Sequence, residues 1–501
     1  MISKEMESIH TRIRAAGYVV DSETILEMIA EHNTEAMSQG VRYYRSQSDI
    51  VNREMYFYDS QQNRTVDDTK ENHKLVNNWH KLLVDQKVSY LVGRPMVFSF
   101  EIEPDEQGEV DKKGKEKCIS EEFPEKVELL LGDEWDDIIA DIATNSSNKG
   151  TEWLHVYIDT QGYYKYAIAP AEEIIPVYDS AGQNNLEALM RYYSVQVVNE
   201  SESETRYRAE WWTRETVTVY IEDDGGEFIP DTAEQPNPAP HFSRNGAGLG
   251  WGKVPFIEFP NNSFRAGDLE VTKSLIDEYD KAFSDFANNN AEVQEIVTVL
   301  RGYESTDLAT FKQNLRYYKT IKLRQGNDSG VDTLKTNIPT EAKKELLDRL
   351  EENIFMFGQG VNVKTDRFGN SPSGASLEFL YTLLDLKASM MERKFRRSAK
   401  RLLWFTTTYI NMQWQKTFDP SKVKASFRKN MVQNIKEMVE TLKISRDIIS
   451  DKSITELHPL VENSAKEYQL LLEQREGEAG IKVDLVKDVD DVDLKEIDIN
   501  E

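Results

Sequence analysis

The sequence predicts an α+β protein in which a block of β-strands lies between two helical regions. Apolar residues recur every three or four positions in residues 1–40, 70–92 and 126–148, and again from residue 267 onward, as in amphipathic helices. Between residues 150 and 230, apolar runs alternate with turn residues, which is typical of paired strands. With 501 residues, the chain is long enough for about three structural units.

The first half of the chain contains clear stop and turn signals. The helix predicted over residues 70–92 ends at Gly93-Arg94-Pro95, because a residue before proline disfavours helical geometry, and residues 96–102 then predict a strand. Residues 153–159 and 163–169 flank a three-residue turn that ends in glycine, which predicts a hairpin.

The second half is mainly helical, with one inserted module. Residues 267–290 predict a helix about 36 Å long. The predicted order then continues with a small mixed module at 291–338, a helix at 340–357, a loop rich in Gly, Asn and Ser at 358–374, a long helix at 375–415, a short strand within 418–430, helices at 431–480 and an acidic tail at 481–501 that we expect to be disordered.

The composition excludes several classes of protein. Lys and Arg total 61 and Asp and Glu total 88, so the net charge of −27 excludes a simple basic DNA-coating protein. A single cysteine, Cys118, excludes an intramolecular disulfide and any multi-cysteine metal site. No apolar run approaches the ~20 residues that span a bilayer, and the first residues lack the apolar core of a signal peptide. We expect the protein to be made and used in a cytoplasm, or built into something assembled there.

Two segments resemble enzyme motifs without completing them. Residues 246–254 resemble a phosphate-binding loop, but Ala247 and Val254 stand where the motif needs Gly and Ser or Thr. Residues 369–373 resemble a nucleophile elbow, but Ser373 replaces its second glycine. We therefore expect no catalytic residue, no cofactor and no metal site, with a flexible turn favoured at residues 246–254.

Two further charge patterns leave alternatives open. Asp67-Asp68 and Asp136-Asp137 could bind a divalent cation in a metal-dependent nucleic-acid enzyme, although a solvated surface is the favoured interpretation. An acidic intracellular scaffold that binds basic proteins is the other alternative function.

One helix carries a dense basic cluster that could contact phosphate or, as we favour, acids of a neighbouring subunit: Arg393, Lys394, Arg396, Arg397, Lys400 and Arg401.

Several short segments, taken in order, indicate a known family. They are Glu31-His32-Asn33, Gly40-Val41-Arg42-Tyr43-Tyr44, Val66-Asp67-Asp68-Thr69-Lys70, Trp79-His80-Lys81-Leu82, Tyr90-Leu91-Val92-Gly93, Asn148-Lys149-Gly150, Gly250-Trp251-Gly252, Gly330-Val331-Asp332-Thr333-Leu334 and Leu383-Leu384-Asp385-Leu386-Lys387-Ala388. Together they resemble the portal proteins of tailed bacteriophages, in particular the SPP1-like portal family, over about residues 25–430.

The resemblance implies a portal fold with named parts. They are a wing at 1–266 to which 418–430 returns, stem helices at 267–290 and 340–357, a clip at 291–338, a tunnel loop at 358–374, a long tunnel-side helix at 375–415 and a crown at 431–480.

The resemblance also implies a function and partners. The chain would form a ring at one capsid vertex, with twelve subunits in the virion, through which double-stranded DNA is packaged and ejected. It would not be an enzyme. Its partners would be the terminase motor, the head-completion adaptor, the major capsid and scaffolding proteins and DNA bound without sequence specificity, with no membrane. It would occur in the virion and, during assembly, in the host cytoplasm.

Three groups of candidate residues follow from this resemblance. The tunnel loop would present to DNA Asn362, Lys364, Arg367 and Asn370. The stem helices would pack, within or between subunits, through Tyr279, Phe283, Phe286, Phe355 and Phe357. The clip would contact subunits or partners through Tyr303, Phe311, Tyr317 and Tyr318.

Overall fold

A computed structural model provides the structure of the chain. It describes residues 3–58, 62–67, 70–100, 119–180, 185–199, 202–293, 297–301, 330–334, 340–362, 374–427, 429–430, 435–461, 467–468 and 470–475. Within them, helices and strands are both abundant, which confirms the α+β class.

The helices in the described part of the chain lie within residues 4–149, 269–414 and 435–457. They are α1 (Lys4–Ala15), α2 (Ser22–Ala30), α3 (Glu35–Tyr44), α4 (Trp79–Val92), α5 (Ile119–Leu131), α6 (Trp135–Lys149), α7 (Leu269–Val293), α8 (Thr340–Gly358), α9 (Gly374–Trp414), α10 (Ile435–Ile444) and α11 (Asp451–Leu457).

Most strands lie between α6 and α7. The described strands are β1 (Tyr56–Tyr58), β2 (Arg64–Val66), β3 (Val97–Phe100), β4 (Thr151–Ile158), β5 (Tyr164–Ala169), β6 (Ile174–Tyr178), β7 (Leu186–Asn199), β8 (Glu202–Trp212), β9 (Thr216–Glu222), β10 (Phe228–Pro230), β11 (Ala239–Pro240), β12 (Phe242–Arg244), β13 (Ala247–Leu249), β14 (Phe256–Pro260), β15 (Val297–Arg301), β16 (Gly330–Leu334) and β17 (Val423–Ser426).

An antiparallel sheet forms the outer part of the first half. Its strand order is β10-β9-β8-β7-β6, and β11 also pairs with β9. Ser3 and Asp21 cap the N-termini of α1 and α2, and their side chains accept hydrogen bonds from the first-turn amides of Met6 and Thr24. The buried faces of both helices join the sheet in one apolar cluster that includes Ile13, Ile25, Met28, Met190 and Trp211.

A second sheet links the first half of the chain to α9. Strands β14, β4 and β5 are antiparallel in that order, and the β4–β5 hairpin is the one the sequence predicts. The rings of Phe259 on β14 and Phe395 on α9 meet edge to face at 5.2 Å. Ser398 Oγ donates to the Glu258 carbonyl at 2.5 Å. The middle of α9 is therefore part of the main core.

Helices α7 and α8 form an antiparallel pair. They share a buried cluster that includes Ile276, Tyr279, Leu350 and Ile354. Their bounds, Leu269–Val293 and Thr340–Gly358, are close to the spans that the periodicity predicts. In the described part of the intervening segment, β15 pairs with β16.

The sequence-based helix over residues 70–92 is wrong in its first third, because α4 begins only at Trp79. Residues 72–78 are not helical and lie along α7. Side chains of α7 accept hydrogen bonds from the backbone N–H groups of this segment. The three contacts are His73 N–H to Asn288 Oδ1 at 2.7 Å, Leu75 N–H to Ser284 Oγ at 3.0 Å and Asn77 N–H to Asp280 Oδ1 at 2.9 Å. These acceptors are spaced by one helical turn, so they replace the bonds that a helix would make within itself.

The segment after α9 returns to the first half of the chain. Strand β17 pairs antiparallel with β3, with Val423 opposite Phe100 and Ser426 opposite Val97. The Asn430 amide then donates to the Tyr90 carbonyl at 2.7 Å. Both strands were predicted from the sequence, and the structure adds that they are partners.

Candidate functional site at the base of the glycine-rich loop

The glycine-rich loop leaves from a base that is fixed against α4. Residues 358–362 of the loop are described, and residues 363–373 lie outside the described residues. The Val361 N–H donates to Gln86 Oε1 at 2.9 Å, and Gln86 Nε2 donates to the Val361 carbonyl at 2.9 Å. Val361 is only 3% exposed. The Gln86 side chain therefore satisfies both backbone groups of Val361, as a neighbouring strand would.

Two glycines let this base approach Leu83 closely. A Cβ added to Gly358 would lie 2.5 Å from Leu83 Cδ1, and one added to Gly360 would lie 2.3 Å from Leu83 Cδ2. Both separations are well below van der Waals contact between carbon atoms. A larger residue at either position would require the buried Leu83 side chain to shift.

A buried cluster of charges lies beside the loop base. Lys87 Nζ is 2.6 Å from Asp268 Oδ2 and donates to Asn261 Oδ1 at 2.7 Å. Lys387 Nζ is 3.2 Å from the same Asp268 oxygen and donates to the Gly358 carbonyl at 2.9 Å. These contacts join four elements at one point: α4, the residue that precedes α7, the end of α8 and α9.

Burial and ion pairing shift the pKa values of these buried groups in opposite directions. Burial lowers the pKa of Lys87 to about 8, although Asp268 opposes the shift. Burial alone would raise the pKa of Asp268, but Lys387 and Lys87 together hold that pKa well below its usual range. Asp268 therefore remains a carboxylate near neutral pH, so both lysines keep an anionic acceptor.

Asn148, near the end of α6, brings α3, α4 and the residues before α7 together beside this cluster. A Cβ on Gly40 of α3 would lie 1.9 Å from the Asn148 carbonyl oxygen, and one on Gly267 would lie 2.7 Å from it. His80 Nε2 of α4 lies 2.9 Å from Asn148 Oδ1. The Asp268 amide donates to the carbonyl of neighbouring Ser147 at 2.8 Å. Glycine is needed at both contacts because any side chain would collide with backbone.

Two of the candidate stem aromatics pack within the chain. The Trp79 ring meets Tyr279 at 5.2 Å and Phe355 at 5.5 Å, both edge to face. Tyr279 and Phe355 are buried. One tryptophan at the start of α4 thus bridges α7 and α8, in an arrangement that aromatic rings favour.

The other three candidate stem aromatics are more open. Phe283 stacks on Tyr279 at 6.1 Å but remains partly exposed. Phe286 is half-buried beneath Lys343, whose Nζ lies 5.7 Å from the ring centroid. Phe357 is 53% exposed. These side chains can still contact a neighbouring molecule.

The remaining candidate residues are mostly outside the described residues. In the predicted tunnel loop, Asn362 is described and half-buried, whereas Lys364, Arg367 and Asn370 lie outside. The four candidate clip residues also lie outside: Tyr303, Phe311, Tyr317 and Tyr318. Their proposed roles stay predictions.

The segments that resemble enzyme motifs have simple structural accounts where they are described. Residues 247–249 pair with β12 across Asn245 and Gly246, which both have positive φ and form the hairpin turn. Lys253 Nζ sits 3.7 Å from the Trp404 ring centroid rather than beside a phosphate-binding turn. In the described part of the chain, no three His, Cys, Asp or Glu side chains are grouped to hold a metal ion.

Sequence reasoning missed the charged cluster below the loop. A lysine, an aspartate and an asparagine far apart in sequence give no motif. One signal was present: Lys87 lies between Val84 and Val88 on the apolar face of a helix, where a lysine must find a buried partner.

Removing one buried lysine should destabilise the protein far more than removing an exposed one. We expect Lys87→Met to lower the free energy of unfolding by about 3 kcal/mol, the lower end of the range for a broken buried pair, because Lys387 stays beside Asp268. The control is Lys81→Met on the same helix, which breaks an exposed pair with Asp85 and should cost at most about 1 kcal/mol. Urea denaturation measures both. Equal losses would contradict this account of the cluster.

Comparisons with known proteins show which family the chain resembles along most of its length. The family model described as "Phage portal protein, SPP1 Gp6-like" matches residues 26–480. The portal protein of Bacillus phage SPP1 is 34% identical over 484 residues, which cover 96% of this chain and 92% of that protein. The portal protein of Clostridium phage phiCD119 is 30% identical over 460 residues, which cover 88% of this chain and 93% of that protein. Among the described helices, none is long and apolar enough to cross a membrane.

The family model and the two relatives together show that the chain belongs to the SPP1-like family of phage portal proteins.

Proposed function

We propose that this chain is the subunit of a portal ring, which occupies one vertex of a phage capsid and conducts double-stranded DNA during packaging and ejection. The observation that carries the proposal is the family match over residues 26–480, which includes the helix pair, the loop and α9. The family is structural, so the chain performs no catalytic step in this function. The match favours this function over a metal-dependent enzyme or an acidic scaffold.

The order of elements supports an assignment of segments of the chain to the parts of a portal subunit. The two sheets with α1–α6, and with residues 418–430 returning, form the wing, while α7 and α8 form the stem. Residues 291–338 between the stem helices form the clip, which receives the terminase motor and later the head-completion adaptor. Helix α9 lies behind the tunnel loop, and residues 431–480 form the crown, which faces the capsid interior.

A conduit must let DNA slide rather than hold it. Duplex DNA carries one negative charge per ~1.7 Å, so a protein that neutralises many phosphates binds it strongly. A chain with a net charge of −27 avoids such binding. A few groups at the narrowest point, Lys364 and Arg367 with Asn362 and Asn370, centre the duplex, while the anchored loop base at Val361 limits how far they move.

Partners follow from the position at the vertex. The ring contacts the capsid and the terminase motor, and we extend these contacts to the scaffolding protein and the head-completion adaptor. Its contact with DNA is independent of sequence. In the virion the ring has twelve subunits.

The ring is the first testable consequence. Negative-stain electron microscopy and native mass measurement of the purified chain should show closed rings with a central hole and a mass near that of twelve chains. Persistent monomers or compact dimers, at every salt and protein concentration tried, would contradict the conduit function.

The loop charges have their own test. Rings that carry Lys364→Ala and Arg367→Ala should still assemble, but their weak binding to linear duplex DNA should depend less on salt, because each lost phosphate contact lowers the slope of log K against log salt by about 0.9. A matched control, Lys4→Ala with Lys165→Ala, removes two exposed lysines of the wing. The loop assignment is wrong if the loop variant and the control have the same slope.

A further inference from the structure

One face of α9 carries a stripe of exposed side chains that the core does not use. Counting along the helix, the intervals are three, four, three, four and three residues, so the stripe follows a single side of the helix. The residues are Leu383, Leu386, Met390, Arg393, Arg397 and Lys400. The opposite side packs into the main core through Leu384, Met391 and Phe395. The stripe is therefore apolar toward the loop and basic away from it.

Two residues of its basic end, Arg393 and Lys400, are available for a partner. Arg396 is paired with Glu392 on its own helix, but Arg393 and Lys400 make no ion pair with any other described residue. In its apolar end, Leu386 is 54% exposed. Exposed apolar side chains next to unpaired charges of one sign are typical of an interaction surface.

Helix α8 presents a complementary stripe. Its side opposite Leu350 and Ile354 carries four exposed or partly paired acids followed by an apolar residue: Glu341, Glu345, Asp348, Glu352 and Met356. Met356 is 56% exposed. From its first to its last turn, α8 is thus acidic and then apolar on this side, whereas the stripe on α9 is apolar and then basic.

The two stripes match only when the helices run antiparallel. Placing Met356 against the turn between Leu386 and Met390 puts Glu352 beside Arg393 and Glu345 beside Lys400. Each charged pair on one helix is seven residues apart, which is about 10.5 Å along a helix, so both contacts form together. A parallel arrangement would set the apolar end of each helix against the charges of the other.

An α8 that covers this stripe must belong to another subunit. Within one chain the stripe residues remain exposed, so the chain's own α8 does not cover them. Two different surfaces that bind each other join identical chains head to tail, and such contacts close into a ring when the rotation permits.

We propose that the exposed face of α9 in one subunit docks antiparallel on the acidic face of α8 in the next subunit. This contact, which rests on the proposed ring function, specifies where the ring's subunits meet. Each exposed ion pair contributes little, so the apolar ends and the repetition around the ring supply the rest.

Charge reversal on each face provides the test in the full chain. One variant carries Arg393→Glu and Lys400→Glu, and a second carries Glu345→Lys and Glu352→Lys. The control, Lys4→Glu with Lys165→Glu, changes the net charge as much as the first variant does, at exposed positions of the wing. Native mass measurement gives the fraction of chain in rings, and retention of linear duplex DNA is recorded for each sample.

We expect each reversed variant alone to lose rings and an equimolar mixture of the two to regain them, because every contact in an alternating ring then pairs opposite charges. The control should form rings like the unmodified chain. Rings in either reversed variant alone, or no rings in the mixture, would overturn the inference. Intact rings that lose duplex retention only in the Arg393→Glu, Lys400→Glu variant would show that this face binds DNA instead. Absence of rings in the unmodified chain would refute the proposed function itself.

Discussion

A carboxylate buried between two lysines determines how the parts of this molecule meet. Asp268 lies between Lys87 and Lys387, and Asn261 donates to its second oxygen. Removing such charges from water is costly, and the cost is offset only when every partner is in place. The cluster therefore favours one arrangement of the helices that supply it. Because Lys387 also binds the carbonyl of Gly358, the same arrangement fixes where the glycine-rich loop begins.

The base of the glycine-rich loop is fixed against α4. Gln86 and Leu83 hold the first residues of the loop on α4, so the loop leaves the body in a defined direction. In the proposed conduit, this fixed base sets where the polar side chains of the loop reach the duplex.

The charge distribution separates two tasks. The chain as a whole is strongly acidic, which disfavours non-specific binding to DNA, yet α9 concentrates basic residues on one side. Cations on an acidic protein have abundant partners in other copies of the same protein. The same composition can thus discourage binding of DNA and favour assembly.

Local patterns were enough to predict most elements of the fold. Helices α7 and α8, the β4–β5 hairpin and strands β7 to β9 all follow from periodicity and turn residues, since these signals act over a few neighbours. The extended course of residues 72–78 was not predictable, because the side chains that hold it on α7 are more than 200 residues away in sequence.

The functional site was harder to predict than the fold. Sequence reasoning placed a DNA-facing loop at residues 358–374 from the family resemblance alone, and it did not find the anchor. Gln86 looks like an ordinary polar residue of a helix, and Lys87 stands out only because it lies on the apolar face. The partners of both residues lie on segments that only the folded chain brings together. Among the stem aromatics, the sequence could not separate Tyr279, which packs on Trp79, from the exposed Phe357.

Hydrogen exchange in a Lys387→Met variant tests most directly whether the buried cluster and the loop base are one unit. In the unmodified chain, the amides of Asp268 and Val361 are both hydrogen-bonded and should exchange slowly. The account predicts that both amides exchange faster in Lys387→Met and that neither changes in the control Lys344→Met, at an exposed position of α8. Faster exchange at Asp268 with an unchanged rate at Val361 would contradict it.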